Sequence, residues 1–261
     1  MSEHPAPPPA DGPGAADGVD VVTVAAPAKL TLRLRLLPEV RADGLHTIDA
    51  EMVALDFGDD VTISPIDGPP RGASVVRYHG FDVPESPDGS DLVTRALDLA
   101  GRCARVSVHK RIPAGAGLGG GSSDAAAVLR WAGFGDRERA AFELGADVAF
   151  CLHGGRARVR GMGEIVEPLP FEPLTVTLAT PPVHCSTAEV YRMWDRLGGP
   201  TADGPNDLEP AALAVAPELA GWREELRRST GATPYLAGSG STWYVLGDHP
   251  GPGRVVAHTI P

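Results

Sequence analysis

Apolar and polar residues alternate from Leu30 to Leu36, with Leu30, Leu32, Leu34 and Leu36 set against Thr31, Arg33 and Arg35. A period of two predicts a strand with one face buried. After a turn at Arg41-Ala42-Asp43-Gly44, Leu45-His46 opens a further strand running through about Asp56. Val61–Ser64 and Ser74–Tyr78 read as short strands separated by Pro/Gly turns. The spacing then changes: Leu92, Val93, Ala96, Leu97 and Ala100 fall on one helical face, with Ser90 as the expected N-cap. Ala104–His109 is strand-like, Asp124–Trp131 an alanine-rich helix and Asp136–Leu144 a second short helix. An apolar patch at Ala149–Leu152 precedes a further alternating run, Arg156–Arg160.

Pro168, Pro170 and Pro173 break the pattern, and a domain boundary is expected there. Beyond it, Leu174–Thr180 is a buried strand, and Ser186-Thr187-Ala188-Glu189 is a capping box opening a helix to about Leu197. Pro217–Ser229 forms an amphipathic helix, and Tyr235–Gly240, Ser241–Leu246 and Gly253–His258 supply the last loop and strands. With many strands ahead of the first clear strand-to-helix step, the class is α+β rather than a doubly wound sheet. The expected divisions are a disordered tail over 1–19, an N-terminal domain over 20–168 and a C-terminal domain over 169–261.

The stretch around which the chain is organised runs from Pro113 to Asp124. Gly115, Gly117, Gly119, Gly120 and Gly121 crowd into it, between a strand and a helix. Residues without Cβ let backbone N–H groups approach an anion closely, and the helix that follows adds its positive end. This frame favours a polyphosphate site over a flexible turn. No Lys-Ser/Thr pair follows the last glycine, so the loop is not a P-loop. Gly115, Gly117 and Gly120 do satisfy the dinucleotide spacing, but Pro113 opens the loop and the preceding strands carry no alternating helices.

The formal net charge of −11 argues against nucleic acid or an anionic membrane as partner. Cys103, Cys151 and Cys185 lie far apart without metal-ligand spacing, which reads as reduced thiols in a cytoplasmic protein. The first eighteen residues lack a basic start followed by an apolar run, so neither a signal peptide nor a membrane span is expected there. Lysine is scarce: Lys29 and Lys110 are the only two.

The string Pro113-x-Gly115-x-Gly117-Leu118-Gly119-Gly120-Gly121-Ser122-Ser123-Asp124 resembles the signature of the GHMP kinases, named after galactokinase, homoserine kinase, mevalonate kinase and phosphomevalonate kinase. Five further motifs recur in that family's order: Pro27-Ala28-Lys29-Leu30, Arg41 to His46, Gly145-Ala146-Asp147-Val148, Gly161-x-Gly163-Glu164 and Asn206-Asp207-Leu208-Glu209-Pro210. Together they resemble the branch that phosphorylates a cytidine diphosphate-linked methylerythritol in the non-mevalonate isoprenoid pathway. The resemblance implies a two-lobed fold, with a ribosomal-protein-S5-like N-terminal lobe and a ferredoxin-like C-terminal lobe. ATP and Mg²⁺ are implied as cofactors, and the protein as a monomer or homodimer.

The same resemblance implies roles. Asp147 takes the proton of the acceptor hydroxyl, while Lys29 keeps that carboxylate charged and favours the developing alkoxide. Pro113, Gly115, Gly117, Leu118, Gly119, Gly120, Gly121, Ser122 and Ser123 cradle the phosphates, with Ser122 a candidate Mg²⁺ contact. Thr31, Leu45, His46, Tyr191 and Gly240 fall to the acceptor side, His46 at the cytosine edge and Tyr191 stacking on the base. Each has a plainer reading too: Lys29 as a solvated strand end, Asp147 as a helix-end aspartate, Ser122 and Ser123 as helix caps, His46 as a strand-start histidine, Tyr191 as a core aromatic, Gly240 as a turn glycine. The family pattern is broken at Thr31, usually Asn, at Leu45, usually Tyr, and at Ala149, usually Pro. Thr31 and Leu45 keep open a kinase for another small alcohol or polyol; a non-catalytic nucleotide-binding paralogue is a separate alternative, against which the presence of both Lys29 and Asp147 speaks.

Overall fold

Two long strands carry the first part of the molecule in the computed structural model, which describes residues 20–40, 46–66, 74–80 and 90–261. Strand β1 (Val22–Val40) pairs antiparallel with β2 (His46–Pro65) from Val22↔Ile63 to Val40↔His46. The expected tail over 1–19, the turn Arg41–Gly44 and Leu45 lie outside the described residues. The two strands expected over Leu45–Asp56 and Val61–Ser64 are one. Phe57-Gly58-Asp59 does not interrupt β2, because Pro27↔Gly58 and Ala26↔Asp59 remain paired. Gly58 is needed there: a Cβ would lie 2.3 Å from the Ala26 carbonyl oxygen.

On its other edge β2 meets three partners in succession. Ile48–Val53 pairs with β5 (Arg156–Gly161), Ala54 and Leu55 with β10 (Arg254–Ile260), and Asp60–Pro65 with β4 (Ala104–Lys110). β3 (Val75–Gly80) adds to β4 in parallel, and β6 (Ile165–Pro168), which sequence periodicity did not reveal, adds to β5. β10 also pairs with β7 (Thr175–Ala179), which continues through β9 (Trp243–Leu246) to β8 (Tyr235–Leu236). With its helices, the molecule is α+β as expected.

The helices of the first part are α1 (Leu92–Ala100), α2 (Gly120–Trp131), α3 (Arg137–Leu144) and α4 (Ala146–His153). Helix α2 buries Ala125, Ala126, Ala127, Val128 and Leu129 completely. Small side chains let it approach β1, α1 and α4 closely, and so fix the loop at its N-terminus. The N-cap of α1 is Asp91, not Ser90: its carboxylate accepts from Val93 N at 3.1 Å and Thr94 N at 3.0 Å.

The second part supplies α5 (Thr187–Arg196), α6 (Glu209–Val215) and α7 (Leu219–Thr230). Ser186 stands at the N-cap of α5 without a side-chain bond, so the expected capping box does not close. The Thr187 hydroxyl instead pairs with that of Ser239 at 2.9 Å.

The Asn206-Asp207 pair ties the two parts together. Asp207 Oδ1 accepts from Arg35 Nη1 at 2.6 Å and Ala202 N at 3.0 Å, and its Oδ2 accepts from Leu36 N at 3.0 Å. Backbone bonds Leu34 N to Pro205 O and Asp207 N to Leu34 O lay this segment along β1. Asn206 Nδ2 donates to the Leu236 and Gly238 carbonyls at 2.9 and 2.7 Å. Asp207→Ala strips a buried partner from two backbone amides and a guanidinium. Loss of about 2–4 kcal/mol of stability is expected in urea unfolding, with Asp207→Asn losing less.

Candidate active site

Three glycines with left-handed backbone shape the loop between β4 and α2: Gly115 (φ 69°), Gly117 (φ 77°) and Gly119 (φ 69°). The space above each is taken as well. A Cβ on Gly117 would lie 2.3 Å from the Ala237 carbonyl oxygen, and one on Gly119 2.6 Å from Lys29 Cγ. Gly119 is the N-cap of α2, so the helix begins at Gly120, within the glycine run rather than at Asp124. Ser123 N bonds back to Gly119 O at 2.9 Å, and the turn ahead of it, Gly120 to Ser122, presents its amides at the helix start. That is an anion-binding frame.

Beneath it lies a buried ion cluster. Lys110 Nζ bonds Asp124 Oδ2 at 2.6 Å and Asp59 Oδ2 on its other side, all three side chains being at most 5% exposed. Asp59 Oδ1 accepts the amides of Arg111 and Ile112, fixing the approach to the glycine loop. Burial pushes the Asp124 carboxyl up to about 7, against the pull of Lys110 and with the repulsion of Asp59. Its Oδ1 is buried without a hydrogen-bond partner.

Lys29 stands across the loop. Its backbone N–H donates to Leu118 O at 3.0 Å, and its ammonium, on a side chain 7% exposed, lies 3.1 Å from Asp147 Oδ2 and 3.4 Å from Thr31 Oγ1. Strand β1 positions Lys29, and a β-bulge between Pro27 and Lys29 marks its register there. Asp147 sits in the first turn of α4. The β5–β6 turn holds that helix start, since a Cβ on Gly163 would come within 2.6 Å of Ala146 Cβ.

A cleft of 1190 Å³ runs past these groups, lined by Tyr78, Asp91 and Leu92, the glycine loop, Lys29 and Asp147, and by His46, Tyr191 and Asp195. The His46 ring stacks on Tyr191 (centroids 5.8 Å apart, planes at 26°), and its Nε2 lies 3.0 Å from Asp195 Oδ1. Burial raises the Tyr191 phenol above its usual range, and Asp147 adds to the rise.

Of the residues singled out from sequence, Lys29, Thr31, His46, Pro113, Gly115, Gly117, Leu118, Gly119, Gly120, Gly121, Ser122, Asp147 and Tyr191 all line this cleft. Two do not. The Ser123 hydroxyl faces inward and donates to Pro27 O at 2.6 Å, because the residue is on the buried side of α2. Gly240 lies behind the wall, its O against Gly117, while Gly238 and Ser239 reach the cleft. Leu45 is outside the described residues. Sequence reasoning gave no role to Asp59, Lys110, Asp124, Asp195 or Asn206. The rarity of lysine was the one available signal, for Lys110. Among the described residues no group of three or more His, Cys, Asp or Glu is placed to hold a metal ion. No helix among them is long and apolar enough to cross a membrane.

Residues 91–155 match the family model for the GHMP kinases N terminal domain. A 4-diphosphocytidyl-2-C-methyl-D-erythritol kinase of Paracoccus denitrificans is 39% identical over 241 residues, covering 85% of each chain. The kinase of the same name from Thermobifida fusca is 36% identical, covering 92% of this chain and 91% of its own. A crystal structure of 4-(cytidine 5'-diphospho)-2C-methyl-D-erythritol kinase superposes with a TM-score of 0.72 at 29% identity, over 91% of this chain and 99% of that one. Homoserine kinase from Cytophaga hutchinsonii shares the fold, with a TM-score of 0.58 at 20% identity over 87% and 85% of the two chains.

The buried cluster sets a pH dependence. A carboxyl near 7 in the folded chain and near about 3.9 unfolded means the folded state binds more protons between those values. Stability therefore falls as pH rises from about 4 through about 7. Asp124→Asn, which keeps an oxygen for Lys110, flattens that slope when urea midpoints are compared across the window.

Proposed function

The chain belongs to the 4-diphosphocytidyl-2-C-methyl-D-erythritol kinases, and on that premise we propose how its residues carry out ATP-dependent phosphorylation of the acceptor's 2-hydroxyl. The observation that carries the reading is the Lys29–Asp147 pair, 3.1 Å apart in the cleft, with Lys29 bonded through its backbone to the glycine loop. One carboxylate and one ammonium thus stand beside an anion cradle.

Phosphoryl transfer asks for positioning and charge stabilisation. The loop amides and the start of α2 bind the ATP phosphates; the left-handed glycines let the loop pack against His184, the Ala237 carbonyl and Lys29 while it turns. As the acceptor oxygen bonds the γ-phosphorus, the bond from that phosphorus to the β–γ bridging oxygen breaks and ADP leaves. The hydroxyl proton passes to Asp147, and Lys29 orients that carboxylate and offers its charge to the developing alkoxide.

The cleft also fits a magnesium ion arriving with the nucleotide. Ser122 stands partly exposed at the helix start, and Asp124 Oδ1 is a buried oxygen without a partner beneath it. Such an ion supplies neutralisation of phosphate charge. Tyr78 and Leu92 fall to the nucleotide side, and Thr31, His46 and Tyr191 to the cytidine diphosphate-linked acceptor. Residues 20–168 form the ATP-binding domain in this reading, and 169–261 the domain that brings α5 and the 237–240 loop to the acceptor.

Asp147→Asn is expected to lower kcat on the cytidine diphosphate substrate by about 10²–10⁴-fold with ATP affinity retained, read by coupled ADP release and calorimetry. Turnover on non-nucleotide alcohols alone would transfer the protein to another acceptor. ATP binding without turnover on any alcohol would make it a non-catalytic paralogue.

A further inference from the structure

Between β5 and β6 the chain turns through Gly161-Met162-Gly163-Glu164, and Met162 and Glu164 line the cleft beside Ala146 and Asp147. Both glycines have positive φ, 72° and 127°. The Gly163 N–H donates to Arg160 O at 3.2 Å and closes the turn. The Glu164 side chain then folds back over it. Its Oε2 accepts the Met162 N–H at 2.6 Å. Its carboxylate fills the space above Gly161, where a Cβ would lie 2.6 Å from Glu164 Cδ. A carboxylate oxygen makes a stronger bond to an amide than a neutral acceptor does. Glu164 is thus a clasp across the turn that it ends.

The helix that starts opposite this turn has no clasp of its own. Its N-cap is Gly145 (φ 141°), which has no side chain to satisfy the free amides. Val148, Ala149 and Phe150 anchor the body of α4 in the core. The first turn, with Asp147 in it, lies ahead of that anchor. Gly163 packs directly on it: a Cβ there would lie 2.6 Å from Ala146 Cβ and 3.0 Å from Ala146 O. A displacement of the turn therefore reaches the residue next to Asp147 with little slack.

We propose that Glu164 is a positioning residue for the phosphoryl transfer: by clasping the β5–β6 turn it holds the first turn of α4, and with it the Asp147 carboxylate, in register with Lys29. The reach of a base to its proton is set within a few tenths of an ångström, so a small shift of α4 is felt in the chemical step. The phosphate cradle is built on other elements, the loop from β4 to α2, and keeps its shape when the clasp is lost. The inference rests on the catalytic reading of Asp147 above, and adds to it the group that keeps that carboxylate in place.

The test compares wild type with Glu164→Ala and Glu164→Gln. Glutamine keeps an oxygen that can accept from Met162 N; alanine leaves the turn unclasped. Steady-state turnover of ATP with the cytidine diphosphate-linked acceptor gives kcat and KM. Amide proton–nitrogen spectra of the substrate-free proteins report Met162, Ala146 and Asp147 independently of turnover. In Glu164→Ala, kcat should fall by about 10–100-fold while KM for ATP stays. The signals of Met162, Ala146 and Asp147 should move together. Glu164→Gln should recover most of kcat and return those signals toward wild type. Glu164→Asp, one methylene too short to reach Met162 N, should behave like alanine and serves in its place if that variant does not fold. The proposal is overturned by an unchanged kcat in the unclasped variants, by a loss confined to KM for ATP, or by no recovery in Glu164→Gln. A Met162 signal that moves while those of Ala146 and Asp147 stay overturns it as well. Should wild type turn over no alcohol, the catalytic reading of Asp147 fails, while the spectra still decide whether Glu164 holds the start of α4.

Discussion

Lys29 is held by its surroundings at both ends: its backbone N–H donates to Leu118 O, and its side chain runs past Gly119, where a Cβ would come within 2.6 Å of Lys29 Cγ, to Gly238. The rest of the cleft follows from this contact. The amides of the 241–242 segment bond the Gly115 and Ala116 carbonyls, so the second part of the molecule is gripped by the loop that frames the anion site. Asn206 holds the same segment from behind, through the Leu236 and Gly238 carbonyls. The two parts of the molecule are thereby registered to each other through main-chain bonds and the Asn206 amide.

The two lysines of the chain are used in opposite ways. Lys110 is locked between two buried carboxylates and serves the architecture: its partner Asp59 organises the amides leading into the loop. Lys29 has one carboxylate at 3.1 Å and a hydroxyl at 3.4 Å, and it lines the cleft. Arginine carries the exposed pairs, such as Arg158 with Asp49 and Arg227 with Glu224.

What could be read in the sequence was whatever depends on local spacing. The alternation in β1, the helical face of α1 and the glycine run with its helix are set by residues within a few positions of one another. Boundaries decided by competition were read less well: Asp91 displaces Ser90 as cap because it satisfies two amides at once, and α2 reaches back into the glycines. β6 is only four residues, and α6 begins with Glu-Pro, so neither carries a full period. For the site, motif order singled out Lys29, Asp147, His46 and the loop. Spacing could not show that Ser123 turns inward to Pro27, or that Asp195 meets His46, because those contacts join elements far apart in the chain.

The shared edge of β2 has a consequence for how the molecule is made. Its middle residues Ala54 and Leu55 are paired by Ile260 and Thr259, at the far end of the described chain. On the ribosome, most of β2 can pair early with β1 and β4, yet this gap in its edge stays open until β10 emerges. The strand that carries Lys29 is built against β2, so the reactive side of the enzyme gains its final rigidity last. Pairings of such high sequence separation form slowly and leave an exposed edge meanwhile. The edge of β2 is thus completed by the strand that comes latest in chain order.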